Sequence, residues 1–275
     1  MYVTEDFVYL QLQKTAGTHI AQLLSVHCPD GQQIGKHNPL TPQLLASGRQ
    51  IIGSVRDPWD WYVSLWAFGC DGKGALHERL TNRVDRHRVY SAAVWLRAAA
   101  RRLSIPVADW RAVYADRNDA ALFQRWLKMM FDPRRADDIG EGYGKSSLRQ
   151  FAGFLTFRYL RLFARESSKL FDGSLTDHAS VAQYAETHNL MRVVIRFERL
   201  EDDLLDALTA LARPASEEQA RRMRSAPRTN ASTRNRDYST YYDAESVDLV
   251  AERERLIVSR FGYVKPRLRL TSSGS

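Results

Sequence analysis

Phe7-Val8-Tyr9-Leu10-Gln11-Leu12, followed at once by Gln13-Lys14-Thr15-Ala16-Gly17-Thr18, is a β-prone run that ends in a short polar loop. From Thr18 to Val26 the chain then places Ile20, Leu23 and Leu24 at helical spacing. The pattern predicts strand, loop, helix. Where a strand hands over to a helix, free backbone N–H groups and the helix dipole favour an oxyanion. In this reading Gly17 lets the backbone approach the ligand, and the hydroxyls of Thr15 and Thr18 and the Lys14 ammonium add donors. It is a phosphate loop by its physics but not a nucleoside triphosphate loop, which needs two spaced glycines with Lys after the second and before Ser or Thr. An ordinary turn with an exposed lysine explains the hexapeptide alone about as well.

The same grammar recurs downstream. Gln50 to Val55 reads as a strand that stops at Arg56-Asp57-Pro58, and Trp59 to Phe68 as a helix with Pro58 near its first turn. Arg192 to Phe197 is a third strand, followed by Glu198-Arg-Leu-Glu-Asp-Asp-Leu204 and a helix to about Leu211. Strands alternating with helices imply an α/β fold with a central parallel sheet flanked by helices. Between Gly69 and Asn189 the strands disappear and helices are expected at Ser91 to Leu103, Ala120 to Met130 and Ser147 to Phe163, with a loop at Ala136 to Gly144. This stretch, 69–189, reads as a helical insertion within one domain spanning 1–275. A short helix is expected from Ser216 to Arg224, a loop from Ser225 to Tyr242, and a last helix from Ala244 to about Arg260 capped by Asp243.

With 275 residues, 44% of them hydrophobic, the chain buries a core without a metal or disulfide staple. Forty Lys and Arg against 32 Asp and Glu leave +8, which points to an anionic partner without choosing one. No secretory signal and no run long enough to span a bilayer is visible, so a cytoplasmic protein with no integral membrane segment is expected, its Cys28 and Cys70 reduced. His77-Glu78 lacks a second His at zincin spacing and His87 lacks a partner, so no metal is expected.

Arg56 at a strand end suits bidentate grip of a phosphate, and Ser64, eight residues on, offers one more donor. The alternative is that Arg56 pairs with Asp57 or Asp60 and Ser64 merely packs. Together the pieces resemble the sulfotransferase family that uses 3′-phosphoadenosine-5′-phosphosulfate (PAPS). Lys14-Thr15-Ala16-Gly17-Thr18 is similar to that family's first motif, and Arg56-Asp57-Pro58 with Ser64 to its second. Phe197 to Leu204 resembles its late strand and helix, and the Asn230-Ala-Ser232 loop with Tyr241-Tyr242 and Phe261-Gly262-Tyr263 its closing segment.

The resemblance implies a P-loop-like sulfotransferase fold and sulfuryl transfer to a hydroxyl, or an amine, of a small molecule, lipid or carbohydrate, without a metal. It implies that Lys14, Thr15, Ala16, Gly17, Thr18 and His19 hold the 5′-phosphosulfate and that Arg56 and Ser64 hold the 3′-phosphate. Asn230 and Ser232 are expected to complete that 3′-phosphate site, with Arg228 and Arg234 as further candidates. Many relatives have Ser or Thr where His19 stands, and the Arg-Lys-Gly segment of cytosolic relatives is missing.

Lys36-His37-Asn38-Pro39-Leu40 resembles the segment that carries the family's catalytic His, which makes His37 the expected base. Lys14 is then expected beside the bridging oxygen, where a cation neutralises the charge of the leaving group. The rivals are a P-loop kinase, disfavoured by the missing Gly-Lys-Ser/Thr and the lack of a clear magnesium-holding strand end, and a noncatalytic nucleic-acid-binding protein that uses the +8 charge.

Overall fold

The structure, a computed structural model, describes residues 1–81, 105–227 and 237–268. Five strands form one mixed sheet: β1 (Tyr2–Val3), β2 (Phe7–Leu10), β3 (Gln32–Gln33), β4 (Gln50–Val55) and β5 (Val193–Arg196), in the order β3-β1-β2-β4-β5. The three expected strands are the parallel part, β2 against β4 and β4 against β5. The expected central parallel sheet is extended at one edge into a mixed one, where β1 pairs antiparallel with both β2 and β3. Those edge strands are two residues long, too short for a period-2 pattern to mark them.

Alternate residues of β2 enter opposite layers. Phe7 and Tyr9 pack with Ile52 and Ile195 beneath α1 (Gly17–His27), while Val8, Leu10, Ile51 and Val55 face the other side. There they meet a larger core. It draws on α3 (Pro58–Cys70), which follows the short α2 (Pro42–Ala46), and on the helices of the 69–189 stretch. Covered on both faces, β2 is apolar throughout, which is why Phe7–Leu10 reads as a continuous run.

Among the described residues of the stretch are α4 (Ala75–Thr81), α5 (Val107–Ala112), α6 (Ala120–Phe131), α7 (Ala136–Ile139), α8 (Phe154–Phe163) and α9 (His178–Thr187). The helix expected at Ser91 to Leu103 lies outside the described residues. The one expected at Ser147 to Phe163 is broken: a 3-10 turn at Ser147–Gln150 precedes α8, whose extended N-cap Gly153 leaves no room for a side chain. A Cβ there would lie 1.9 Å from Glu254 Oε1. The expected loop at Ala136 to Gly144 is instead a packed run of short helical turns in which Gly140 and Gly142 adopt φ of 83° and 92°.

After β5 come α10 (Leu200–Ala210) and α11 (Glu217–Ser225), the latter opened by a capping box at Ser216. The last helix is also divided, into α12 (Ala244–Arg253), capped by Asp243 as expected, and α13 (Arg255–Phe261). At the break Glu254 is fully buried. Its carboxylate accepts from Tyr62 Oη and the Leu155 N–H through Oε1, and from the N–H and hydroxyl of Thr156 through Oε2. It thus closes the N-terminus of α8, where a negative charge is favoured. Neighbouring Arg253 donates to the carbonyls of Phe131, Arg149 and Gln150.

Burial pushes Glu254 up to about 7, against the donors that hold it down. An acid raised on folding binds its proton more tightly in the folded state, so its contribution to stability falls as pH rises from about 4.5 to about 7 and is level above that. Relative to Glu254→Gln, the wild type is expected to lose about 3 kcal/mol across that window. Urea unfolding of both proteins at pH 4.5 and pH 8 measures the difference. A pH-independent difference would mean that Glu254 ionises as it does in water.

Candidate functional site

Thr15 builds the first loop. Fully buried, it donates from Oγ1 to Leu12 O at 2.8 Å and lies 2.7 Å from Ser54 Oγ, which in turn is 2.8 Å from Tyr9 Oη. The loop is thereby pinned to β2 and β4. On either side Lys14 and Ala16 adopt φ of 65° and 60°, so the backbone alternates in sign and gathers its N–H groups into a concave nest. The left-handed positions are therefore Lys14 and Ala16, and the freedom expected of Gly17 is a different one. A Cβ on Gly17 would press on the Gln11 side chain at 3.2 Å, and Gln11 Nε2 donates to Gly17 O. Ala16 gives α1 no side-chain cap and no acidic residue occupies the first turn, so the opening N–H groups have no intrahelical acceptor.

Arg56 is joined to this loop. Its Nη1 donates to Lys14 O at 2.9 Å, Nε and Nη2 bind Asp60 Oδ2 at 2.8 and 2.7 Å, and its guanidinium lies over the Phe197 ring at 3.9 Å. The pairing with Asp60, held as the alternative from sequence, is present: Arg56 braces the loop. Ser64 is buried one turn beyond Asp60 on the same face of α3. The third motif also meets the second, since Glu198 Oε1 accepts from the Asp57 N–H at 2.7 Å. Asp57 caps α3 and receives Tyr238 Oη; burial raises it to about 6.

The Lys36-His37 segment folds back onto the same loop. Lys36 Nζ donates to Thr18 Oγ1 at 3.2 Å, and His37 Nδ1 lies 2.8 Å from Gln11 O. A carbonyl only accepts, so Nδ1 carries the proton and Nε2 of the neutral ring is the basic nitrogen. Burial of the ring lowers the His37 pKa below its ordinary value, opposed by the Gln11 hydrogen bond and reinforced by the positive charges of Arg158, the Met1 amino group and Lys36.

His19 follows Thr18 in the first turn of α1. Its buried ring is directed at α10, with Nε2 3.9 Å from Glu201 Oε1. Asn230 and Ser232, with Arg228 and Arg234, lie outside the described residues. Cys28 and Cys70 are free thiols, and no group of three His, Cys, Asp or Glu among the described residues is disposed to hold a metal. No helix of the described residues is long and apolar enough to cross a membrane.

Sequence reasoning missed two neighbours. Trp61 Nε1 donates to Gln13 O at 2.7 Å, so this core tryptophan also fixes the loop. Arg158, inside the apolar run of α8, is buried beside Trp61 and pairs with Glu141, and nothing in its local spacing marks it. Of the six described non-glycine residues with positive φ, four belong to this cluster: Lys14, Ala16, His37 and Glu141. Strain of that kind gathers where function requires it. Two clefts, of about 660 Å³ beside Arg192 and Arg255 and about 370 Å³ beside Arg125 and Lys128, include none of the loop residues. No family model matches the chain, and neither a curated protein nor a solved structure matches it.

Proposed function

We propose that the chain is a PAPS-dependent sulfotransferase acting on a hydroxyl of a small molecule, lipid or carbohydrate, with a P-loop-like sulfotransferase fold. The observation that carries this reading is the joining of three separate motifs at the carboxyl ends of β2 and β4. Arg56 binds Lys14 O, and His37 binds Gln11 O. Ligands of open α/β sheets bind at such strand ends. The nest and the start of α1 suit the 5′-phosphosulfate, and the face of α3 that carries Ser64 suits the 3′-phosphate.

In the reaction the acceptor oxygen attacks sulfur in line as the bond from sulfur to the bridging oxygen breaks. His37 Nε2 takes the hydroxyl proton, and the Lys14 ammonium neutralises the charge left on the phosphate. The products are the sulfate ester and adenosine 3′,5′-bisphosphate.

Thermal shift with adenosine 3′,5′-bisphosphate, against adenosine triphosphate with magnesium and against generic DNA, tests the reading. Stabilisation by the bisphosphate without metal is expected. A response to the triphosphate with magnesium alone would favour a kinase, and steeply salt-dependent binding of DNA alone a nucleic-acid-binding protein. Arg56→Ala removes the loop brace as well as a phosphate donor, so it is expected to weaken adenosine 5′-monophosphate and the bisphosphate alike. Ser64→Ala is the selective variant. It is expected to weaken only the bisphosphate, by about 0.5–1.5 kcal/mol, as calorimetry with both nucleotides would show. Equal affinities for wild type and variant would remove Ser64 from the 3′-phosphate site.

A further inference from the structure

Arg158 comes from α8, on the insertion side of the loop, and its side chain is only 6% exposed. Its Nε and Nη2 grip the Glu141 carboxylate, and Phe154 and Trp61 fix the guanidinium from their rings at 4.2 and 5.9 Å. Nη1 is covered and meets no acceptor among the described residues. An unmet donor of this kind is expensive, and more so on a charged group. Glu141, which holds the other edge, is itself strained at φ 55°.

The residue stands next to the proposed chemistry. Trp61, against which it rests, holds Gln13 O, while His37 holds Gln11 O two residues earlier. The charged groups that act on His37 are Arg158, Lys36 and the Met1 amino group, opposed by Glu141. Arg161 reaches Glu141 through its carbonyl and adds to the positive side. The surroundings of His37 are therefore cationic, and Nη1 of Arg158 is a donor among them that meets no acceptor in the described residues.

We propose that Arg158 binds an oxyanion beside His37, and that the acceptor accordingly carries a carboxylate or sulfate near the hydroxyl that reacts. The site is an Arg fork with one edge held by Glu141 and, on the other, the buried Nη1 left without an acceptor. Its oxyanion comes from the acceptor and not the donor, because the donor's charged groups already meet the nest and Lys14, whose Nζ lies over Phe68 at 3.9 Å. The naming of the acceptor rests on the sulfotransferase reading; the oxyanion site does not.

The test follows the His37 imidazole by NMR across pH with glucuronate, glucose or adenosine 5′-phosphosulfate added. Glucuronate is expected to move the His37 midpoint upward by roughly one unit, because an anion at Arg158 favours the charged ring. Glucose is expected to leave it in place. In Arg158→Gln the midpoint is expected to begin higher and to ignore glucuronate, while Arg158→Lys, which keeps the charge, retains a smaller response.

No movement of the wild-type midpoint with glucuronate overturns the proposal whether or not the variants fold. An undiminished response in Arg158→Gln overturns it too, and so does a response to adenosine 5′-phosphosulfate alone, which would assign Arg158 to the donor. Binding of adenosine 3′,5′-bisphosphate is measured on the same samples. Its failure with the glucuronate response intact would sink the sulfotransferase reading and leave the oxyanion site standing.

Discussion

His37→Asn is expected to transfer the sulfuryl group about 10²–10⁴-fold more slowly than the wild type while binding adenosine 3′,5′-bisphosphate equally well. Asn is the better substitution because His37 sits at φ 60°, a conformation in which Asn is enriched among residues other than glycine. The loop it touches is held independently by Thr15, Trp61 and Arg56, so losing one hydrogen bond to Gln11 O leaves the nest in place. In the wild type the rate should fall as pH drops through a pKa below the ordinary histidine value of 6.5, because Nε2 must be unprotonated to act. That limb is expected to vanish in the variant. His19→Ala supplies the control, since that ring faces Glu201. An active His37→Asn enzyme beside an inactive His19→Ala would transfer the role of base to the loop.

Lys14→Ala is expected to lower kcat about 10²–10³-fold, with a much smaller change in affinity for the bisphosphate. Its ammonium lies over the Phe68 ring, and in the proposed reaction it would move to the oxygen on which charge develops as the bond to sulfur breaks. The part of Lys14 that the loop needs is its carbonyl, which accepts from Arg56 and survives any change of side chain. Steady-state kinetics with calorimetry separate the two effects. If affinity falls by the same factor as kcat/KM and kcat at saturation is unchanged, Lys14 anchors the phosphate and does nothing further.

Much of this arrangement was legible in the residues, and the reasons are specific. Phe7 to Leu12 and Gln50 to Val55 are short apolar runs with clear stops, so β2, β4 and the loops after them could be located. Ser216 and Asp243 begin their helices as capping boxes, a signal local to four residues. What escaped was set by distant partners. The break before α8 falls at Gly153, which Glu254 approaches closely, a contact across about a hundred residues that no local periodicity records. Arg158 reads as one charge on an apolar helix until Trp61 and Glu141 are seen around it. Arg56 offered two readings from sequence, and its bonds to Asp60 on the first turn of α3 and to Lys14 O are visible only in three dimensions.

The carboxylate of Glu254 has a consequence for the order in which the chain assembles. It supplies acceptors at the start of α8 and to Tyr62 of α3, segments made well before it during synthesis from the N-terminus. Until Glu254 has emerged, Leu155 and Thr156 lack the acceptors they use in the finished structure, and Gly153 lacks the N–H bond it makes to Arg253 O. The layer built from Phe7, Tyr9, α1, β5 and α10 has no such dependence on the last helices. One side of the sheet is thus expected to close first in the nascent protein and the insertion side last, because contacts of long sequence separation form only after a large entropic cost has been met.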